Sequence, residues 1–181
     1  MRRGIAAACL AAAAAVPVAA QTASLEPVAA LDLARYAGTW HEIARYPNWF
    51  QRNCAGEVTA TYTLRGDGMV GVLNACRKAD GETIRAAGMA RRPDAVRAPA
   101  QLEVRFAPEW LAWLPFVWGD YWVLDLAPDY SHVVVGEPNR EYFWILARSP
   151  RLDDATYARL LDRAKALGYD PARLVKSASP R

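Results

Sequence analysis

The sequence predicts a mostly β fold: an eight-stranded antiparallel up-and-down barrel with one C-terminal α-helix packed on its outside. Three observations carry this. Eight short segments rich in β-branched and aromatic residues recur between residues 38 and 148. The links between them are of hairpin length and carry Gly, Pro, Asp or Asn. After Leu152 the apolar period changes from two to that of a helix. Eight evenly spaced strands also suit a sandwich, but short links throughout favour a meander.

The first strand opens at Gly38-Thr39-Trp40, within YAGTWHEIARYPNWFQ. Residues 57–65 (EVTATYTLR) and 69–77 (MVGVLNACR) flank Gly66-Asp67-Gly68, a strand–turn–strand pattern. Pairing about that turn sets residue i opposite roughly 133 − i, so that Glu57 faces Cys76. Residues 82–92 form the next segment. Residues 100–106 alternate cleanly, with Leu102, Val104 and Phe106 on one face and Glu103 and Arg105 on the other. Segments 119–126, 130–136 and 141–148 complete the set. Then Tyr157, Leu160, Leu161, Ala164 and Leu167 recur at helical spacing. Asp153 or Asp154 caps this helix, Gly168 stops it and Pro171 lies beyond. Leu174-Val175-Lys176 is a short returning strand.

Residues 1–20 read as a secretory signal peptide. Arg2 and Arg3 precede an apolar run over residues 5–16, and Val18-Ala19-Ala20 offers a small-residue cleavage site. Cys9 is a poor lipid anchor, since cleavage there leaves a leader of only eight residues; it reads as incidental to the run. Export implies a periplasmic or cell-envelope location. It also makes Cys54 and Cys76, brought together by the hairpin, a disulfide pair.

Of the 22 basic residues, Arg2 and Arg3 leave with the leader, and the remainder nearly balances 19 acidic ones. No basic block points to nucleic acid. His41 and His132 are the only histidines and neither has metal-ligand spacing to a cysteine. No phosphate-binding glycine loop or other cofactor motif is present, so no cofactor is expected. Asp125, Asp129 and Glu137 form no pair of defined spacing. Ser131 and His132, adjacent in a strand, are expected to point to opposite faces, which excludes a nucleophile–base pair. The chain is therefore expected not to be an enzyme.

Three motifs in order resemble the lipocalins, above all the bacterial cell-envelope lipocalins: Gly38-Thr39-Trp40, Pro128-Asp129-Tyr130 and Arg148 in YFWILARSP. The resemblance spans about residues 31–177. It implies a calyx whose base is plugged by Trp40, with the Arg148 guanidinium packed on the indole and Gly38 turning the backbone into the strand. These three residues are structural.

Alternation assigns candidate ligand contacts. Glu42 and Tyr46 share Trp40's face of the first strand, together with Ala44. Glu42 is either an anchor for a polar ligand group or, the plainer reading, a hydrogen-bond partner for Tyr62, Asn74 or another interior polar group. Arg148 sets the parity of Leu146, Trp144 and Tyr142. Leu102, Val104 and Phe106 join the wall, and Ala60, Tyr62, Val70, Val72, Tyr121, Val123, His132 and Val134 are placed in it to within one register step. The stretch APEWLAWLPFVWGDYW over residues 107–122 is unusually apolar for a link. Trp110, Trp113 and Phe116 in it are expected to touch ligand or a membrane, at the same mouth as Trp49 and Phe50.

By resemblance, the expected function is transport or storage of a hydrophobic small molecule: a fatty acid, a lysophospholipid or another membrane lipid. Two rival readings are an enzyme acting on a bound lipid or isoprenoid through Glu42, and a haem or pigment carrier using His132. Monomer and homodimer both remain open.

Overall fold

The computed structural model describes residues 25–178. The expected signal peptide, with Cys9, lies outside these. The chain forms a closed antiparallel barrel of eight strands: β1 (Gly38–Arg45), β2 (Gly56–Leu64), β3 (Val70–Arg77), β4 (Thr83–Arg91), β5 (Gln101–Arg105), β6 (Gly119–Leu126), β7 (His132–Gly136) and β8 (Phe143–Ala147). Each pairs with the next, and β8 and β2 both pair with β1, which closes the ring. A ninth strand, β9 (Val175–Lys176), pairs with the upper end of β1 at Ala44 and Arg45. It fills the seam that opens between β1 and β2, where the Glu57 N–H donates to the Ala178 carbonyl at 2.9 Å.

A one-turn helix, α1 (Leu33–Tyr36), precedes β1. The Asp32 carboxylate accepts from the N–H groups of Ala34 (2.8 Å) and Arg35 (3.3 Å), an N-cap that turns the chain under the barrel. The longer helix α2 (Asp154–Ala166) starts at Asp153, whose carboxylate accepts from the Thr156 N–H at 2.8 Å, and ends at Gly168 with φ of +82°.

Two apolar clusters follow from strand alternation. One fills the barrel and includes Trp40, Tyr62, Val72, Leu102, Val123, Val133, Val135 and Leu146. The other lies between the barrel's outer face and α2 and includes Ala44, Tyr46, Leu124, Val134, Phe143, Ile145, Leu160 and Ala164. Strand β7 is buried on both faces, so neighbouring valines serve different clusters.

Four expectations shift here. A bulge between Glu42 and Ala44 reverses the parity of β1, so Ala44 and Tyr46 face α2 rather than the barrel interior. The β2–β3 hairpin pairs Tyr62 with Val72 and Ala60 with Asn74, one step from the expected register. Val134 and His132 point outward. Finally, Ser131 precedes β7 rather than lying in it, and its hydroxyl sits 3.0 Å from His132 Nδ1.

Candidate functional site

The base is built around Trp40, which is fully buried. Its indole N–H donates to the Tyr36 carbonyl at 2.8 Å. The Arg148 guanidinium lies 3.9 Å from the ring centroid and donates to the carbonyls of Thr39, Arg35, Tyr36 and Ala37 at 2.7–3.1 Å. Four carbonyls facing one planar fork explain why arginine stands here: it satisfies the end of α1 and stacks on the indole together. Gly38, at φ of +94°, would place a Cβ 3.3 Å from the same guanidinium. The link after β6 closes the base. The Tyr130 hydroxyl accepts from the Asp32 N–H at 3.0 Å, and Arg35 packs 4.1 Å over the Tyr130 ring.

Above this plug lies a cavity of about 120 Å³. Its wall includes Tyr62, Val72, Val104, Phe106, Tyr121 and Trp144 from the expected set, with Ala60 and Leu146. Glu42, Phe50, Gln51, Val58, Thr59 and Asn74 complete it nearer the mouth. A Cβ on Gly88 would fall 2.8 Å from the Phe106 ring and 2.6 Å from the Arg105 carbonyl, so Phe106 rests on that glycine.

Other expected contacts stand elsewhere. Leu102 and Val123 belong to the packed lower barrel rather than to the cavity wall. Tyr46 lies under α2, with its hydroxyl 2.6 Å from the Asp170 N–H. Trp110, Trp113 and Phe116 are 73%, 78% and 78% exposed and line no part of the cavity. They sit on two short 3-10 turns, Glu109–Leu111 and Pro115–Val117. Trp118 docks that loop on the barrel: its indole donates to the Ala112 carbonyl at 2.8 Å, and Arg91 stacks 4.1 Å over its ring.

Glu42 is buried, and both its oxygens are taken. Oε1 accepts from Arg45 Nη1 at 2.7 Å and from the Ser177 hydroxyl, and Oε2 accepts from Gln51 Nε2 at 2.6 Å. The carboxylate is therefore a hydrogen-bond hub, as the plainer reading had it, with Arg45, Gln51 and Ser177 as its partners in place of Tyr62 or Asn74. Gln51 carries the network on: its Oε1 accepts from the Trp144 indole at 3.2 Å and from Asn48 at 2.6 Å. The Cys54–Cys76 disulfide, with Cα atoms 5.5 Å apart, ties the same mouth loop to β3. Glu42 and the disulfide together hold Phe50 and Gln51 over the cavity.

His132 cannot serve a ligand in the barrel. It points outward, with Nε2 2.6 Å from Arg159 Nη2 on α2. The haem reading thus loses its only proposed ligand.

At the cavity floor three phenols meet. Tyr36 Oη lies 2.6 Å from Tyr121 Oη, and Tyr62 Oη 2.8 Å from it. Burial is the largest cause that raises the pKa of all three, that of Tyr62 to about 12. An exposed phenol ionises near 10, so the unfolded chain loses these protons first. Their contribution to stability is complete below about pH 10 and is lost as the pH climbs toward the folded-state values. A phenolate absorbance titration of the eight tyrosines is expected to show a group that ionises late, together with unfolding. A single step near pH 10 for all of them contradicts the buried triad.

Sequence reasoning missed Tyr36, Gln51, Val58 and Thr59 as site residues. Asp32, an N-cap type four residues before Tyr36, was the available signal for Tyr36. Nothing in the sequence marks Gln51.

Comparison with known proteins agrees with this geometry. The family model described as a lipocalin-like domain matches residues 31–179. The chain is 40% identical over 154 residues to temperature-induced lipocalin-1 of Arabidopsis thaliana, covering 84% of this chain and 82% of that one. It is 36% identical over 144 residues to the outer membrane lipoprotein Blc of Escherichia coli K12, covering 80% and 77%. The structure of insecticyanin from the tobacco hornworm Manduca sexta superposes with a TM-score of 0.67 at 22% identity, covering 87% and 85%, a likeness of fold. A plugged, closed eight-stranded barrel with an apolar interior and an external C-terminal helix therefore has its family: the chain belongs to the lipocalins, binders of small hydrophobic molecules.

Proposed function

We propose that this chain is an exported carrier of a membrane-derived lipid, such as a fatty acid or a lysophospholipid, in the cell envelope. One observation carries the reading: a mainly apolar cavity above the Trp40–Arg148 plug, lined by the aromatic side chains of Phe50, Phe106, Tyr62, Tyr121 and Trp144. Kinship to an outer membrane lipoprotein supports the lipid class and the envelope location. An acyl segment buried here contributes about 0.8 kcal/mol per CH₂. The volume of about 120 Å³ falls below the ~300–1,000 Å³ of sites that enclose a drug-sized ligand. A long chain therefore enters partway, with its remainder along Phe50, Phe106 and Trp144, or displaces Phe50 and Phe106, which are 47% and 44% exposed.

The test is native mass spectrometry of protein purified without detergent, followed by organic extraction. A copurifying lipid of defined mass supports the proposal. Ligand-free protein that also shows no change in tryptophan fluorescence with fatty acids tells against it.

The exposed aromatics favour a second element: contact with a bilayer surface. Trp110, Trp113 and Phe116, with Trp49 at 70% exposure, lie on the two loops of the mouth end, where indoles suit the lipid–water boundary. The triple variant Trp110→Ser, Trp113→Ser, Phe116→Ser is expected to lose cosedimentation with phosphatidylethanolamine–phosphatidylglycerol vesicles while retaining fatty-acid binding. Unchanged cosedimentation contradicts the membrane role.

A further inference from the structure

The cavity floor holds a hydrogen-bond donor with no acceptor. Tyr36, Tyr62 and Tyr121 bring three hydroxyl protons, and the two contacts among them use two. No other hydrogen bond reaches any of these hydroxyls among the described residues. One O–H is therefore left over in a buried site, which is costly unless something accepts from it.

Three arrangements distribute that proton. If both outer phenols donate to Tyr121, it rests on Tyr121. If the chain runs from Tyr36 through Tyr121 to Tyr62, it rests on Tyr62. If it runs the other way, it rests on Tyr36. Tyr62 and Tyr121 line the cavity, whereas Tyr36 is sealed against Trp40, ring centroids 5.0 Å apart. Two of the three arrangements thus aim the donor at the cavity, and an acceptor there selects them.

A complementary orphan lies nearer the mouth. Asn74 Oδ1 is buried without a hydrogen-bond partner on the cavity wall. Asn74 stands two residues mouthward of Val72, which pairs with Tyr62. The interior therefore offers a donor at its floor and an acceptor partway up, within otherwise mainly apolar surroundings.

Resting on the lipid-carrier reading, we propose that the calyx is built for a ligand whose buried end carries a neutral oxygen acceptor, a hydroxyl or carbonyl, held by Tyr62 and Tyr121, rather than a bare methyl terminus. A carboxylate is the wrong inner end. Burial holds the phenols neutral, and the cations above and below are engaged, Arg45 by Glu42 and Arg148 by four carbonyls. The preferred class is thus an oxygenated hydrocarbon chain, such as an ω-hydroxy or keto lipid.

Calorimetric titration of the full chain with palmitic acid and ω-hydroxypalmitic acid tests this. An apolar floor rejects the hydroxyl, because its desolvation is uncompensated. The donor floor is expected to bind the ω-hydroxy acid about fivefold more tightly than palmitic acid. The Tyr62→Phe/Tyr121→Phe variant is expected to reverse that order while still binding palmitic acid, which also shows that its calyx is intact. Equal or weaker binding of the ω-hydroxy acid by the unaltered chain overturns the proposal, as does a preference that survives in the double variant; in both cases the lipid-carrier reading stands. Binding of neither acid overturns both.

Discussion

Replacing Trp40 by alanine is expected to lower the stability of the chain by about 4 kcal/mol, within the range for deleting a fully buried large aromatic side chain. Three losses combine. The indole is fully buried and packs on Tyr36. Arg148 loses the face it stacks on, 3.9 Å away. The Tyr36 carbonyl loses one donor but keeps Arg148, so that term is small. For a domain of this size the melting temperature should fall by roughly 10 °C. Urea denaturation checks the free energy directly: the midpoint shifts, and an unchanged slope shows that the denatured state is the same. A loss below about 1 kcal/mol contradicts a plug role for Trp40.

Removing the disulfide by the paired change Cys54→Ser, Cys76→Ser is expected to cost about 3 kcal/mol, the loop-closure value for a separation of 22 residues. The local consequence differs from that of Trp40→Ala. The disulfide fastens the mouth loop that carries Phe50 and Gln51, and Gln51 joins Glu42 to the Trp144 indole. Amide hydrogen exchange over residues 46–55 should therefore accelerate more than exchange in β7, which is buried on both faces. Uniform acceleration along the chain contradicts a mouth-specific role, and unchanged stability contradicts the disulfide's contribution.

The large features of the fold were legible because they rest on local signals. Gly66-Asp67-Gly68 marks a hairpin, Asp153 and Gly168 bound a helix, and Leu102 to Phe106 alternates without ambiguity. The motif residues Gly38, Trp40 and Arg148 meet at the base as the family resemblance implied. The failures within the strands share one cause, parity. A bulge at residue 43 reverses the end of β1 and carries Tyr46 out of the barrel, and no residue type announces it. In β7 the run Val133-Val134-Val135 is apolar on both faces, so alternation holds no information about which face is inner. The rim is a separate case. Trp110, Trp113 and Phe116 were legible as an exposed apolar group, but only the docking of Trp118 decides that they point away from the cavity. Tyr36 was missed because its role depends on two partners 85 and 26 residues away along the chain, Tyr121 and Tyr62.

The most direct measurement is a tryptophan-fluorescence titration with a long-chain fatty acid, run on the unaltered chain and on Ala60→Phe. Ala60 lines the cavity with a small side chain beside Trp40, its partner across β1 and β2, so phenylalanine there fills the space while leaving the mouth loop's hydrogen bonds through Gln51 in place. Saturable binding of one ligand per chain, lost in Ala60→Phe while its circular dichroism is retained, is the predicted result. Saturable binding that persists undiminished in Ala60→Phe, or its absence from the unaltered chain, contradicts a lipid held in the calyx.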